Sequence, residues 1–529
     1  MTRRARRATL LVSVLTLVAG CTQNGLPFVP TPEPTPEAPR EVALTVVDRS
    51  SREPIAGAFV EAGEARVLTD ASGGATFTAM RGSTVTVTAP EHDPASATVP
   101  DEGPLEAELR ANVLRGTVTD EAGAALADVR VFVDGTDALV RTGPDGAYEL
   151  PGIPEQGVVI FKRAGYRLGE IPIGEEVAMD IALERFEVRA LYAPSAVFES
   201  TNGLEELLAV VEATEVNALV IDVKETDGLL YYSTDLKAAV DAGAVRETPI
   251  FDLEELLPML RERGIYTIAR MVVMKDNTVT AARPELAVRN NITGEPWRDY
   301  IGGAWLDPSA PGVAEYVAAI AVDLADRGFD EVQLDYVRFF SDGPYAEADT
   351  TLPNSQSFRI AAMQRVLRVV SEALSTTRAF LAADVFPISF ILPDDQGIGQ
   401  RPEVVMPFVD YACPMAYPSH FGPGVFGLDV PNNYPYEVVD QTLAIMNEQA
   451  SEWPVALRPW IQDFGYGPFA KYTPAQVQAQ IQAAADRSSH GWMVWNPVAN
   501  FSAAAFGPPR PGEDAGPITE ALPAPSASP

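Results

Sequence analysis

The chain has 529 residues, with 39 Lys and Arg against 73 Asp and Glu, a formal net charge of −34. That balance argues against nucleic acid as a partner, because phosphate binding needs a basic footprint; it favours a solvated surface acting on neutral or cationic material. Apolar residues at 47% rule out wholesale disorder, and three histidines (His92, His420, His490) with two cysteines nearly exclude zinc sites and a disulfide scaffold, so no metal or other cofactor is expected.

At roughly 100–200 residues per domain, two to four domains are expected. The chain starts with Arg3, Arg4, Arg6 and Arg7 before an apolar run over 8–20, too short to span a bilayer. The run ends Leu17-Val18-Ala19-Gly20-Cys21, which resembles a bacterial lipobox. The resemblance implies that 1–20 is a lipoprotein signal peptide and that the Cys21 thiol takes a lipid, the only membrane contact expected. Residues 21–40 form a linker whose run Pro30-Thr31-Pro32-Glu33-Pro34-Thr35-Pro36-Glu37 is a proline-rich stalk. The expected location is the cell envelope, on the outer face of the cytoplasmic membrane or at the outer membrane. Thr22, where sorting would look for Asp, permits the latter by analogy. Cys413 lies in the apolar stretch 409–417 and reads as a buried, inert thiol.

From 41 to 187 short alternating segments are broken by Gly, Pro and Asp, an all-β texture. It divides into modules at 41–110 and 111–187 that repeat weakly. Val46-Val47-Asp48 and Pro54-Ile55-Ala56-Gly57-Ala58 return as Val118-Thr119-Asp120 and Ala125-Leu126-Ala127-Asp128. Thr69-Asp70-Ala71-Ser72-Gly73 returns as Thr142-Gly143-Pro144-Asp145-Gly146. The units resemble the carboxypeptidase regulatory-like fold, which implies small β-sandwiches acting as a spacer or a weak binding module.

Over 188–506 apolar strands alternate with amphipathic helices. Strands are expected at 188–193, 218–224, 266–274, 331–339, 379–386, 411–417, 456–464 and 491–496. Helices are expected at 204–213, 253–263, 313–327, 357–375, 436–448 and 474–487. This alternation suits an eight-stranded parallel barrel, and the G-x-G-x-x-G of a nucleotide-binding open sheet is missing. The tail, 507–529, is rich in Pro, Ala and Ser and is expected to be disordered. The fold class is thus multidomain, a (β/α)8 TIM barrel preceded by two small all-β sandwich modules.

Chemistry in such barrels sits where strands end. Asp222, Asp335, Asp384 and Asp463 fall near those ends, and a charge in an apolar strand is costly unless paired or used. Lys224, Arg270, Lys275 and Arg338 could pair them, and Tyr336, Tyr417, Trp460, Tyr466, Trp492 and Trp495 supply rings at the same edges. Acids with flat aromatic faces suit a sugar site. Asp222 could equally form a structural ion pair with Lys224 two residues on, and Asp463 could cap a loop. His420 and Asn496, after the sixth and eighth strands, complete the candidate substrate contacts.

Several blocks then occur in order: Asp222-Val223-Lys224-Glu225-Thr226-Asp227-Gly228, Gly303-Ala304-Trp305-Leu306-Asp307-Pro308, and Gln333-Leu334-Asp335-Tyr336-Val337-Arg338-Phe339. Asp394-Asp395-Gln396-Gly397-Ile398-Gly399-Gln400, Pro414-Met415-Ala416-Tyr417-Pro418-Ser419-His420, Arg458-Pro459-Trp460-Ile461-Gln462-Asp463-Phe464 and Gly491-Trp492-Met493-Val494-Trp495-Asn496-Pro497 follow. Over about 190–506 the chain resembles the putative glycosyl hydrolase barrel family of bacterial envelope proteins, which looks distantly related to α-amylase-like barrels. The resemblance implies that Asp335, ending strand four, is the nucleophile, that Asp384, ending strand five, is the proton donor, and that Asp463 binds sugar. The amylase-type donor is a glutamate, one methylene longer than Asp384, so Asp394, Asp395 and Glu225 stay open as donors. The leading expectation is a lipid-anchored glycoside hydrolase of an envelope or extracellular polysaccharide. The alternative is a catalytically silent, glycan-binding envelope lipoprotein.

Overall fold

The computed structural model describes residues 38–510. Cys21, the signal segment, the linker up to residue 37 and most of the tail lie outside the described residues, and no helix among those described is long and apolar enough to cross a membrane. The described residues divide into two compact units, 38–90 with 94–109, and 91–93 with 110–510.

The first unit has a three-stranded sheet in the order Gly74–Ala79, Arg40–Asp48, Leu105–Leu109, and a four-stranded sheet, Ala65–Leu68, Phe59–Ala62, Thr84–Thr88, Ala95–Thr98. Alternate residues Val42, Leu44 and Val46 of one sheet meet Val60, Val85 and Val87 of the other in one apolar core. The second unit begins with the same design. Val113–Asp120 pairs antiparallel with Ala147–Pro151 and parallel with Ile181–Leu183, as Arg40–Asp48 does with its own neighbours. The sequence repeat is therefore a repeat of hydrogen bonds. Thr69 Oγ1 donates to Ile55 O at 2.6 Å and Thr142 Oγ1 to Leu126 O at 2.6 Å. Gly73 (φ 72°) and Gly146 (φ 77°) each pass so close to a carbonyl, Val46 O or Val118 O, that a Cβ would sit 2.4 Å from it.

The rest of the second unit is a curled parallel sheet with helices on its outer face, like a TIM barrel. In spatial order its strands are Ala456–Leu457, Tyr411–Pro414, Phe380–Val385, Glu331–Asp335, Tyr266–Val272, Ala218–Lys224, Val188–Ala193, Gly491–Trp495 and Trp460–Gln462. The first and last of these belong to one segment, which pairs with the sixth strand through Ala456–Leu457 and with the eighth through Trp460–Gln462. The expected seventh strand over 456–464 is thus in two pieces, because Pro459 lacks the N–H that a ladder needs. The fourth strand stops at Asp335, short of the expected 339, where Tyr336 takes a positive φ of 51°. Helices Gly203–Ala213, Leu253–Glu262, Val313–Asp326, Gln356–Ala373, Pro435–Ala450 and Pro474–Asp486 cover the outer face. The 3.6-residue spacing of Leu253, Leu256, Leu257 and Leu260 buries one stripe of the second of these, and Asp252 caps its start by accepting from Glu254 N.

Every second strand residue points inward. Val188, Ala190, Ala218, Val220, Tyr266, Ile268, Phe380, Ala382, Tyr411, Cys413 and Met493 fill the interior. Cys413 is fully buried, and burial pushes its thiol pKa up, as a packing residue requires. At the amino-terminal ends of the strands the second β module is built onto the barrel. Arg130 pairs with Asp410, and Lys162 Nζ donates to Thr377 O at 2.8 Å and to Ala379 O.

Candidate active site

The same alternation that fills the interior brings one more layer of side chains to the carboxyl-terminal ends of the strands. Tyr192, Asp222, Arg270, Asp335, Asp384, Trp460 and Trp495 are inward positions toward the carboxyl-terminal ends of the sheet, where the chain turns from apolar to charged and aromatic. Arg270 is the hub. Its Nη1 donates to Asp222 Oδ1 and to Glu225 Oε1, both at 2.5 Å, and its Nε and Nη2 to Asp335 Oδ2 at 3.1 and 2.5 Å. Burial works against its charge, but the three carboxylates outweigh it and raise its pKa. Burial also pushes Asp222 up to about 6, against the pull of Arg270, and Tyr192 donates its hydroxyl to Asp222 Oδ2. Tyr192 stacks on Trp495 with centroids 3.8 Å apart, and the Arg270 guanidinium lies 5.0 Å from the Trp495 ring.

Asp335 is an acceptor on both oxygens, since its Oδ1 takes Tyr336 N at 2.6 Å. Tyr336 holds this bond in a left-handed backbone, a conformation that costs a non-glycine residue on the order of 1–3 kcal/mol and that clusters at functional sites. Asp384 is different. It is 2% exposed and has no ion pair among the described residues; Oδ1 accepts from Trp460 Nε1 at 2.7 Å, and Oδ2 has no partner among them. Burial, followed by the charge of Asp335, holds its carboxyl well above the ordinary carboxylate range. Gln400 braces the turn after it, donating to Asp384 O at 3.1 Å and accepting from Phe386 N at 2.9 Å.

Arg270, Asp335, Asp384, Trp460 and Trp495 line a cavity of about 570 Å³. Of the residues singled out from sequence, Arg270, Asp335, Tyr336, Arg338, Asp384, Tyr417, His420, Trp460, Tyr466 and Trp495 line it. Burial lowers the pKa of His420, whose ring lies 4.3 Å from that of Tyr466. Six others do not line it, among them Lys275, which pairs with Asp299, and Trp492, which stacks on Phe506 instead of at the carboxyl-terminal edge. Asp222 stands behind Arg270 and pairs with it, not with Lys224. A register irregularity between Asp222 and Lys224 turns Lys224 away, so its Nζ binds Asp276 and Val272 O, each at 2.8 Å. Asp463 has the opposite parity to the inward Trp460 and caps the loop after the last strand, accepting from Ser502 N at 2.6 Å and Ser502 Oγ at 2.8 Å. Asn496, opposite in parity to Trp495, tethers the same loop through Asp463 O and Asn500 O.

The alternative donors are also engaged elsewhere. Asp395 takes a two-point bond from Arg359 at 2.7 and 2.8 Å, and Asp394 bonds Gln396. Glu225 is tied to Arg270. The candidates drawn from sequence omit Tyr192, whose inward parity is readable, and Phe386, Met415, Phe421 and Val425, which line the cavity from positions that no periodicity singles out. Among the described residues no cluster of three or more His, Cys, Asp or Glu is arranged to hold a metal ion.

No curated protein matches the chain. Among solved structures, it is similar to a hypothetical protein from Ruminiclostridium thermocellum at 29% identity, covering 37% of this chain and 97% of that one with a TM-score of 0.33. It is similar to the glycoside hydrolase domain of PgaB from Bordetella bronchiseptica at 13% identity, covering 61% and 99% with a TM-score of 0.44. The α-galactosidase of Thermus thermophilus follows at 14% identity, covering 83% and 88% with a TM-score of 0.37. Likenesses this loose decide nothing about chemistry. The family match is of another order, since residues 190–501 align with the family described as a putative glycosyl hydrolase domain. That span is well over half of the chain and contains the whole lined cavity, so the chain belongs to this glycosyl hydrolase family.

Proposed function

We propose that the chain is a glycoside hydrolase, exported and held in the cell envelope by a lipid on Cys21, that cleaves an envelope or extracellular polysaccharide with the carboxyls of Asp335 and Asp384. In this reading its body is a (β/α)8 barrel behind two carboxypeptidase regulatory-like sandwich modules. One observation carries it: two carboxyls on one cavity wall are driven apart in character, Asp335 wrapped in N–H donors and Asp384 buried beside its charge. Such a divergence assigns an acid and its partner.

Asp384 enters the reaction protonated and gives its proton from Oδ2 to the glycosidic oxygen, so the leaving sugar departs as an alcohol. Asp335 meets the positive charge that develops at the anomeric carbon. It attacks there if the two carboxyls work about 5–5.5 Å apart, or directs a water if they work about 6.5–9.5 Å apart. Arg270 holds Asp335 in place, while Trp460, Trp495 and Tyr417 offer faces to the sugar C–H bonds and neutral His420 can bond its hydroxyls.

The test sets the chain beside Asp335→Asn on a panel of bacterial polysaccharides and follows new reducing ends. Activity in the parent with at least about a hundredfold loss in the variant supports the reading, because removing a catalytic carboxylate costs orders of magnitude. Equal activity in both removes Asp335 from the mechanism. Silence in both, with glycan retained on a pull-down, turns the protein into the binding lipoprotein.

A further inference from the structure

Arg338 is the second guanidinium of the cavity wall, and its surroundings differ from those of the other buried arginines of this unit. Arg110, Arg130, Arg189, Arg270 and Arg458 each meet a carboxylate. Arg338 is 5% exposed and has no carboxylate within ion-pair distance among the described residues. Three rings surround it instead, those of Trp305, Tyr336 and Phe386 at 4.9, 5.1 and 5.0 Å. Nη1 donates to Phe339 O at 3.0 Å and to Ser341 Oγ at 2.8 Å, which fixes the plane of the group. Nε is shut off from water with no partner among the described residues, and Nη2 has none among them either. The nitrogen of the guanidinium that is neither engaged nor shut off is thus Nη2, which can give a charge-assisted hydrogen bond to a carboxylate oxygen.

A buried cation without a counter-charge is costly, and the aromatic contacts offset only part of that cost. Arg270 cannot serve an incoming anion, since three carboxylates already occupy it. We infer that the cavity takes a glycan built from acidic sugars, and that Arg338 binds the carboxylate of a uronic acid unit. The inference rests on the glycosidase reading only for what happens after binding. A single open nitrogen suits one carboxylate; a phosphate or sulfate has further oxygens for which the described wall offers no second free cation. The net charge of −34 does not forbid such a ligand, because fields from exposed charges fade over about 8 Å at physiological salt.

The full chain, Arg338→Gln and Arg338→Lys are titrated with oligosaccharides of glucuronic, galacturonic and mannuronic acid. Each is paired with the same oligosaccharide after reduction of its carboxyls to alcohols. Quenching of the cavity tryptophans reports binding, and reducing ends are followed in parallel. The expected result is that at least one uronate binds the parent about 10- to 100-fold tighter than its reduced partner, the scale of a charge-assisted hydrogen bond. Arg338→Gln erases that preference while still binding the neutral form, and Arg338→Lys, charged but without the plane that the bonds to Phe339 O and Ser341 Oγ fix, keeps only part of it. A parent that binds acidic and reduced forms alike, or neither, overturns the inference, as does a preference that survives in Arg338→Gln. A preference without any new reducing ends leaves the inference standing and removes hydrolysis. Cleavage of neutral glycans with no preference does the reverse.

Discussion

At the amino-terminal end of the barrel strands, Glu331 is paired with Arg458 with both side chains fully buried, and the free oxygen of Glu331 takes the Tyr266 hydroxyl at 3.1 Å. At the carboxyl-terminal end the residue types are the same, yet Asp384 and Arg338 line a cavity without ion partners among the described residues. Buried charge alone therefore does not mark a site in this barrel. A charge that the fold has matched is structural; one left facing a cavity unmatched is explained only by something that enters it. Exchanging a carboxyl for its amide should then do opposite things at the two ends.

The largest effect falls on Asp384. Asp384→Asn keeps the shape and the bond from Trp460 but has no proton to give, so turnover should drop about 10²- to 10⁴-fold. The thermal midpoint should hold or rise, since a buried carboxyl without an ion partner has gone. A variant that keeps its rate, or that loses its rate only by unfolding, would place Asp384 with the structural charges.

Glu331→Gln tests the other end. It strips a fully buried Arg458 of its counter-charge, which should cost about 3–5 kcal/mol in denaturant unfolding. Activity per folded molecule should stay near that of the parent, because Glu331 lies at the opposite end of its strand from Asp335. Loss of activity in fully folded protein would dissolve the distinction between the ends.

Much of this contrast is legible in the amino-acid sequence, for a simple reason. Charges at 222, 335 and 384 fall toward the ends of buried strands, and period-two counting from Ala218, Glu331 and Phe380 points all of them inward. The same count from Trp460 turns Asp463 away, so its place as a loop cap also follows from parity. Lys224 is not legible in this way, because the register irregularity before it depends on how neighbouring strands meet. Nor are the pairings of Arg359 with Asp395 and Arg130 with Asp410, or the loop residues Phe421 and Val425, since these contacts join segments that no local pattern connects. The break at Pro459 is visible as a proline, but its consequence, one segment serving as both edges of the sheet, follows only from the three-dimensional pairings.

The smallest effect sharpens the comparison within the upper layer itself, where Asp222 stands between the two classes, matched by Arg270 yet still strained by burial. Its folded pKa, pushed up to about 6, lies above the ordinary aspartate value of 3.8, so the folded state holds that proton more tightly than the unfolded chain does. The resulting stability is fully present below about pH 4 and is lost as pH rises through about 6. Asp222→Asn has no such proton. The difference in unfolding free energy between parent and variant, taken at pH 4, 5, 6 and 7, should shift against the parent by about 1–3 kcal/mol across that window. Groups elsewhere that titrate over the same range cancel in the difference. The lost bond to Arg270 adds an offset once Asp222 is ionised, already contained in its raised pKa. A difference that stays flat from pH 4 to 7 would mean that Arg270 fully compensates Asp222, moving it to the matched charges and leaving Asp384 as the one strained carboxyl of the layer.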